Sequence, residues 1–180
     1  MQLIQEKQNT SFDALKGIFG WKNRMQTPKI VKVVVSVGVG KMSKDKGRFE
    51  LVADRLGKIT GQKAIARGAK KAIASFKTRI GDTVGYQVTL RGKRAEDFLN
   101  RLIHIALPRT KDFRGISADT IDGMGNMTIG IKEHSIFSET ADEEIKYVFG
   151  FAVTVVTTAK NKEEAKEYFT HLGMPFKKSA

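Results

Sequence analysis

The stretch Ile30-Val31-Lys32-Val33-Val34-Val35-Ser36-Val37-Gly38-Val39 decides the fold. Every odd position is valine, while the even positions read Ile30, Lys32, Val34, Ser36 and Gly38. A period of two sends alternate side chains to opposite faces, so this is a strand with one apolar face and one partly polar face. Working outward, Thr83–Arg91 sets Val84, Tyr86, Val88 and Leu90 against Gly85, Gln87, Thr89 and Arg91. Met127–Lys132 sets Met127, Ile129 and Ile131 against Thr128, Gly130 and Lys132. Phe149–Thr158 sets Phe149, Phe151, Val153 and Val155 against Ala152, Thr154, Val156 and Thr158. A further short strand is expected around Lys63–Ala66.

Between these runs the period changes to that of a helix. Asn9-Thr10-Ser11 can cap a short helix through Phe12, Leu15 and Phe19, closed by Gly20. Phe49, Val52, Leu56 and Ile59 recur at helical spacing before Gly61. Ala95, Phe98, Leu99, Leu102, Ile103 and Ala106 make an amphipathic helix that Pro108 is expected to end. Asn161 with Glu164 opens the last helix, whose Ala165, Tyr168, Phe169 and Leu172 share a face before Gly173. Asp122-Gly123-Met124-Gly125-Asn126 reads as a turn. Strands and helices mix without regular βαβ alternation. The expectation is α+β: one domain over residues 1–180, a mostly antiparallel sheet with helices on one face, and the other face open.

The chain has 180 residues, 32 Lys and Arg against 19 Asp and Glu, and a net charge of +13. Residues 1–62 carry +7 and residues 63–115 carry +9, whereas residues 116–180 carry −3. A solubility surface mixes signs, and a surface built for a partner segregates them, so the charge asks for a polyanion. There is no cysteine, which excludes disulfides, thiolate metal sites and cysteine nucleophiles. No apolar run approaches the roughly 20 residues that span a bilayer. Met1–Thr10 lacks the apolar stretch of a secretory peptide, so a cytosolic setting without membrane attachment is expected.

The polar strand faces collect Lys32, Ser36, Gln87, Thr89, Arg91, Thr128, Lys132, Thr154 and Thr158, with no carboxylate among them. Hydroxyls, amides and scattered cations suit donation to phosphates and 2′-hydroxyls. A solvated face, or one covered by another segment, is the ordinary alternative. The stretch from Arg67 to Gly81 adds five cations and no acid, with Ile73, Phe76 and Ile80 set among them. A third basic cluster runs Arg109-Thr110-Lys111-Asp112-Phe113-Arg114-Gly115.

Catalytic patterns fail. Gly38-Val39-Gly40-Lys41 has Val35 where a Walker loop needs its first glycine and Met42 where it needs Ser or Thr. Ser43 replaces the third glycine of a dinucleotide fingerprint. His104, His134 and His171 lack metal-ligand spacing, and His104 lies on a predicted helix where a structural role is the default. Glu139, Asp142, Glu143 and Glu144 could ligate Mg²⁺ but read better as a solvated turn. Neither a cofactor nor an enzymatic activity is expected. A metal-dependent RNA-processing enzyme would need several acids on the basic face, and a free RNA chaperone would bind many RNAs equally.

Seven segments carry a family resemblance: Thr60-Gly61-Gln62-Lys63, Ala69-Lys70-Lys71, Val88-Thr89-Leu90-Arg91-Gly92, Ala106-Leu107-Pro108-Arg109, Asp112-Phe113-Arg114-Gly115, Gly130-Ile131-Lys132-Glu133 and Leu172-Gly173-Met174-Pro175-Phe176. In this order, from about Phe12 to Phe176, the chain resembles the bacterial form of large-subunit ribosomal protein five, the universal 5S-rRNA-binding family. The resemblance implies a cytoplasmic, ribosomal, structural protein whose α+β fold docks on 5S rRNA and helps attach it in the central protuberance. It implies 5S rRNA contacts at Lys32, Ser36, Gln62, Lys63, Thr89, Arg91 and Lys132, with large-subunit rRNA and neighbouring central-protuberance proteins as further partners. Ser36 stands where the family usually has asparagine. The resemblance also implies that a projecting loop with Lys70, Lys71, Ser75, Phe76, Lys77 and Arg79 approaches P-site tRNA. Arg109, Lys111, Phe113 and Arg114 would face the small-subunit head protein thirteen.

Overall fold

The computed structural model describes residues 3–40, 46–111, 113–140 and 148–177. In chain order the elements are α1 (Ile4–Phe19), β1 (Ile30–Gly38), α2 (Lys46–Thr60), β2 (Ile65–Gly68), β3 (Thr83–Leu90), α3 (Lys93–Arg101), α4 (Leu107–Arg109), β4 (Met127–Ile131), β5 (Phe151–Thr157) and α5 (Lys162–Leu172). The strands form one five-stranded sheet in the order β2-β3-β1-β5-β4. The fold is α+β with a mostly antiparallel sheet and packed helices, as the alternating runs require. Two compact units divide the chain. One comprises Met1–Val33, Leu90–Ile129 and Thr154–Ala180, the other Val34–Thr89 and Gly130–Val153.

The register follows the valines. Val33, Val35 and Val37 are no more than 3% exposed, whereas Ser36 is exposed and Lys32 partly so. A one-residue slip would send those three valines to water, at about 2 kcal/mol each, and turn Lys32 and Ser36 inward. On β4, Met127, Ile129 and Ile131 are buried while Thr128 and Gly130 are exposed. On β5, Phe151, Val153 and Val155 are buried, with Ala152, Thr154 and Val156 half-buried.

β3 departs from the simple alternation. Val88 and Leu90 are buried, but Val84 and Tyr86 are only half-buried, and Gly85 is buried on what should be the polar face. A Cβ at Gly85 would lie 2.6 Å from the carbonyl oxygen of Val37, so β1 comes too close there for any side chain. β2 begins two residues later than expected. It pairs antiparallel with β3, Ile65 opposite Gln87, and the register shifts between Arg67 and Gly68. That irregularity carries the chain into the following basic hairpin.

In the first unit α1 starts at Ile4 rather than at Asn9. Thr10 and Ser11 sit inside the helix, their hydroxyls turned back to the carbonyls of Glu6 at 3.3 Å and Gln8 at 2.7 Å. Gly20 closes it in the left-handed conformation, φ +64°. α1 packs with α3 and α5 around Ile4, Leu15, Phe98, Leu99, Phe169 and Tyr168, whose phenol burial pushes above its ordinary pKa. Pro108 stands one residue before the end of its helix, as expected. After α3 the backbone widens into a π turn over Leu102–Ala106, and Pro108 falls in the first residues of α4. Ala106 and Leu107 are already helical, so Pro108 lies in the last turn of a continuous run that becomes extended at Thr110. In the second unit α2 ends at Gly61, φ +66°. The buried Arg55 Nη1 lies 3.0 Å from His134 Nε2, and the His134 ring stacks on Phe149 at 4.3 Å.

Candidate nucleic-acid interface

In the second unit, Ser36 stands exposed on β1 and Thr89 half-exposed near the end of β3. Gln62 leaves the α2 terminus and donates from Nε2 to the Thr89 carbonyl at 3.3 Å, which brings two sequence-predicted residues together. Lys63 is exposed beside Gln62 along a groove that also takes in Gly57, Lys58 and Gly61. Lys132 is exposed immediately after β4. Arg67 Nε donates to Gln87 Oε1 at 2.6 Å, a pair spanning β2 and β3. Sequence reading missed this pair, because neither residue signals a register that only strand pairing creates.

β2 and β3 are joined by an ordered hairpin. The Ala69 amide donates to the Asp82 carbonyl at 2.8 Å and the Gly81 amide to the Ala69 carbonyl at 3.0 Å. Ile73 and Thr78 exchange amide–carbonyl bonds across the tip, where Lys77 has φ +52°. Lys70, Lys71, Ser75, Phe76, Lys77 and Arg79 are all exposed. Phe76 and Ile80 are each 73% exposed, so the cations are interleaved with bare apolar side chains. Solvation alone gives no reason to leave an aromatic in water.

In the first unit, Lys32 is half-exposed and Arg91 exposed just before Gly92, φ +56°. The hydroxyls of Thr128 and Thr154 lie 3.0 Å apart, and Thr158 Oγ1 accepts from the Lys29 amide at 2.9 Å. Arg109, Lys111 and Arg114 are exposed and Phe113 is half-buried. Their loop is anchored at its far end, where the Ile116 amide donates to the Pro175 carbonyl at 2.8 Å and the Lys177 amide returns to the Ile116 carbonyl at 2.9 Å. Gly115, φ +97°, sits against this backbone, and a Cβ there would meet the Lys177 nitrogen at 2.7 Å.

Among the described residues no cluster of three His, Cys, Asp or Glu side chains could hold a metal ion, and no helix is long and apolar enough to cross a membrane. Lys41 and Ser43 of the glycine-rich segment, Asp112, and Asp142, Glu143 and Glu144 of the acidic group lie outside the described residues. Burial, with Lys7 adding to it, holds His104 below its ordinary pKa, and among the described residues its buried Nε2 has no hydrogen-bond partner. His171 Nε2 lies 2.9 Å from the Lys7 carbonyl in the α1–α5 packing.

Residues 23–79 match the family described as "Ribosomal protein L5", and residues 83–176 match the C-terminal region of the same ribosomal family. The chain is 48% identical over 170 residues to the large ribosomal subunit protein uL5 of Trichlorobacter lovleyi, covering 94% of this chain and 95% of that one. It is 46% identical over 179 residues to the protein of the same name from Dictyoglomus turgidum, covering 99% and 100% of the two chains. With that of Borreliella afzelii the identity is 50% over 158 residues, 88% of this chain and 87% of the other.

Proposed function

Since the chain belongs to the ribosomal protein L5 family and is a structural ribosomal protein rather than an enzyme, we propose that it binds 5S rRNA and helps attach it in the central protuberance of the large subunit. It acts as a single RNA-binding domain over residues 1–180, with the hairpin at about 67–81 projecting from it. One observation carries the reading. The outward strand positions offer hydroxyls, amides and cations to solvent, without a carboxylate among them. Such a set donates to phosphates and 2′-hydroxyls and has nothing to repel them.

Ser36, Gln62, Lys63, Thr89 and Lys132 of one unit, and Lys32 and Arg91 of the other, are the contacts this assigns. Ser36 is shorter than an asparagine amide, so its share is one hydroxyl bond. The hairpin carrying Lys70, Lys71, Ser75, Phe76, Lys77 and Arg79 serves P-site tRNA. Its exposed aromatic supports that role, since a ring offers a face to any unstacked base. Arg109, Lys111, Phe113 and Arg114 face the small-subunit head protein thirteen, while other surfaces meet large-subunit rRNA and neighbouring proteins.

Filter binding of Arg91→Ala and Lys77→Ala to 5S rRNA tests this division. Arg91→Ala is expected to weaken binding and to lower the slope of log affinity against log salt by about 1. Lys77→Ala leaves 5S affinity intact and disturbs ribosomes carrying P-site tRNA. Equal losses of 5S affinity in both variants refute the assignment.

A further inference from the structure

Away from the outward strand positions, the first unit presents an aromatic surface that the function above does not use. α1 ends at Phe19, Gly20 turns the chain, and the rings of Phe19 and Trp21 stack with centroids 5.2 Å apart and planes 22° apart. Both residues are half-buried. With Gln26, Lys160, Asn161, Glu163 and Glu164 they line a groove of about 320 Å³, a volume suited to a small planar group.

The polar groups of this groove differ in what they already hold. Glu164 Oε2 accepts from the Lys160 amide at 2.7 Å, and Gln26 Oε1 accepts from the amides of Lys22 and Asn23 at 2.9 and 3.2 Å. Asn161 occupies the capping position of α5, but among the described residues its side chain makes no capping bond and the Glu163 carboxylate is likewise uncommitted. Lys160 of the lining and Lys22, next to Trp21 in sequence, are exposed.

We propose that this groove holds one unstacked nucleobase of ribosomal RNA against the Phe19–Trp21 pair. Every base offers a π face to an aromatic platform. Base edges carry N–H donors and ring or carbonyl acceptors. The Asn161 amide complements both, and the Glu163 carboxylate accepts from ring N–H and amino groups, most fully from the paired donors of guanine. A carboxylate repels phosphate, so the base belongs at Glu163 and the adjoining phosphate at Lys22 and Lys160. The lining itself sets Lys160 against Glu163 and Glu164, with Lys22 next to Trp21 in sequence, so the groove suits a neutral planar base, and the polyanion that carries it follows from the ribosomal reading. The inference rests on the ribosomal-RNA reading for the origin of the base, and not on the strand positions assigned to 5S rRNA.

Trp21 is the chain's only tryptophan, so its fluorescence reports on the groove directly. The full chain is titrated with 5S rRNA, with large-subunit rRNA and with GMP, while filter retention records RNA binding in parallel. At least one RNA is expected to quench Trp21 by half or more at saturation. Asn161→Ala and Glu163→Ala, both at exposed positions, are expected to lose at least half of that amplitude where retention is still complete. Arg91→Ala moves the midpoint and keeps the amplitude. Complete retention with unchanged Trp21 emission overturns the proposal, as does undiminished quenching in the Asn161→Ala/Glu163→Ala double variant. Quenching by GMP and by neither RNA would overturn the ribosomal source and assign a free nucleotide. Quenching by large-subunit rRNA without any retention of 5S rRNA would end the strand-face assignment and leave the groove standing.

Discussion

Replacing Gly85 by alanine adds one methyl group where β3 lies close against the β1 backbone. The new Cβ would stand 2.6 Å from the Val37 carbonyl oxygen, 3.7 Å from its carbonyl carbon and 3.8 Å from the Gly38 Cα. These are backbone atoms and have no rotamer to escape into. The strands must part by several tenths of an ångström, next to the 2.9 Å bond from the Val39 amide to the Val84 carbonyl. Overpacking of this kind costs about 1–3 kcal/mol. At about 2–4 °C per kcal/mol for a chain of this size, Tm falls by roughly 2–12 °C. Gly130 provides the contrast, because it is exposed on β4 and a Cβ there meets nothing within 4 Å. Gly130→Ala is expected to be neutral, or to gain up to about 1 kcal/mol from a stiffer unfolded chain. Parallel urea and thermal melts measure both. Equal shifts in the two variants, or no loss in Gly85→Ala, refute the close-approach argument.

Gly115→Ala combines φ +97° with contacts of 2.7–2.9 Å to the Lys177 and Phe176 backbone. A loss of about 2–4 kcal/mol is expected, with amide exchange rising first at Ile116 and Lys177. Asp122 accepts from the Asn126 side chain at 2.9 Å and from the Asn126 and Met124 amides at 2.7 and 3.0 Å. The Asn126 side chain, then its amide, hold the Asp122 carboxyl below the ordinary carboxylate range. Its contribution is therefore complete above that range and is lost as pH falls through the lowered folded-state value. Asp122→Ala is expected to cost no more than about 1 kcal/mol at neutral pH, since water competes at this exposed turn, and to flatten the acid limb of the stability curve. An unchanged acid limb in pH-dependent melts counts against it.

The alternation around Val33, Val35 and Val37 makes the sheet, its inward face and its polar face legible in the sequence. Gly20, Gly61 and Gly173 marked helix ends because each adopts positive φ, where a side chain is strained. Other features arise from relations that one segment does not carry. Thr10 and Ser11 look like caps, but their hydroxyls are equally able to bond back within a helix. Pro108 marked the helix end to within a residue, but nothing in the local sequence announced the π turn over Leu102–Ala106 before it. Gly85 belongs to the polar face by counting and is buried by the approach of β1. In the candidate site, exposure of Ser36, Arg91, Lys132 and the hairpin cations followed from pattern. The Gln62–Thr89 and Arg67–Gln87 bonds, by contrast, depend on how β2 and β3 are paired.

Lysine acylation with and without saturating 5S rRNA reads the interface residue by residue. Lys32, Lys63 and Lys132 are expected to lose reactivity in the complex, while Lys16 on α1 and Lys166 on α5 keep theirs. Protection of Lys16 and Lys166 with Lys32, Lys63 and Lys132 still reactive would put the RNA on the helices and contradict the account.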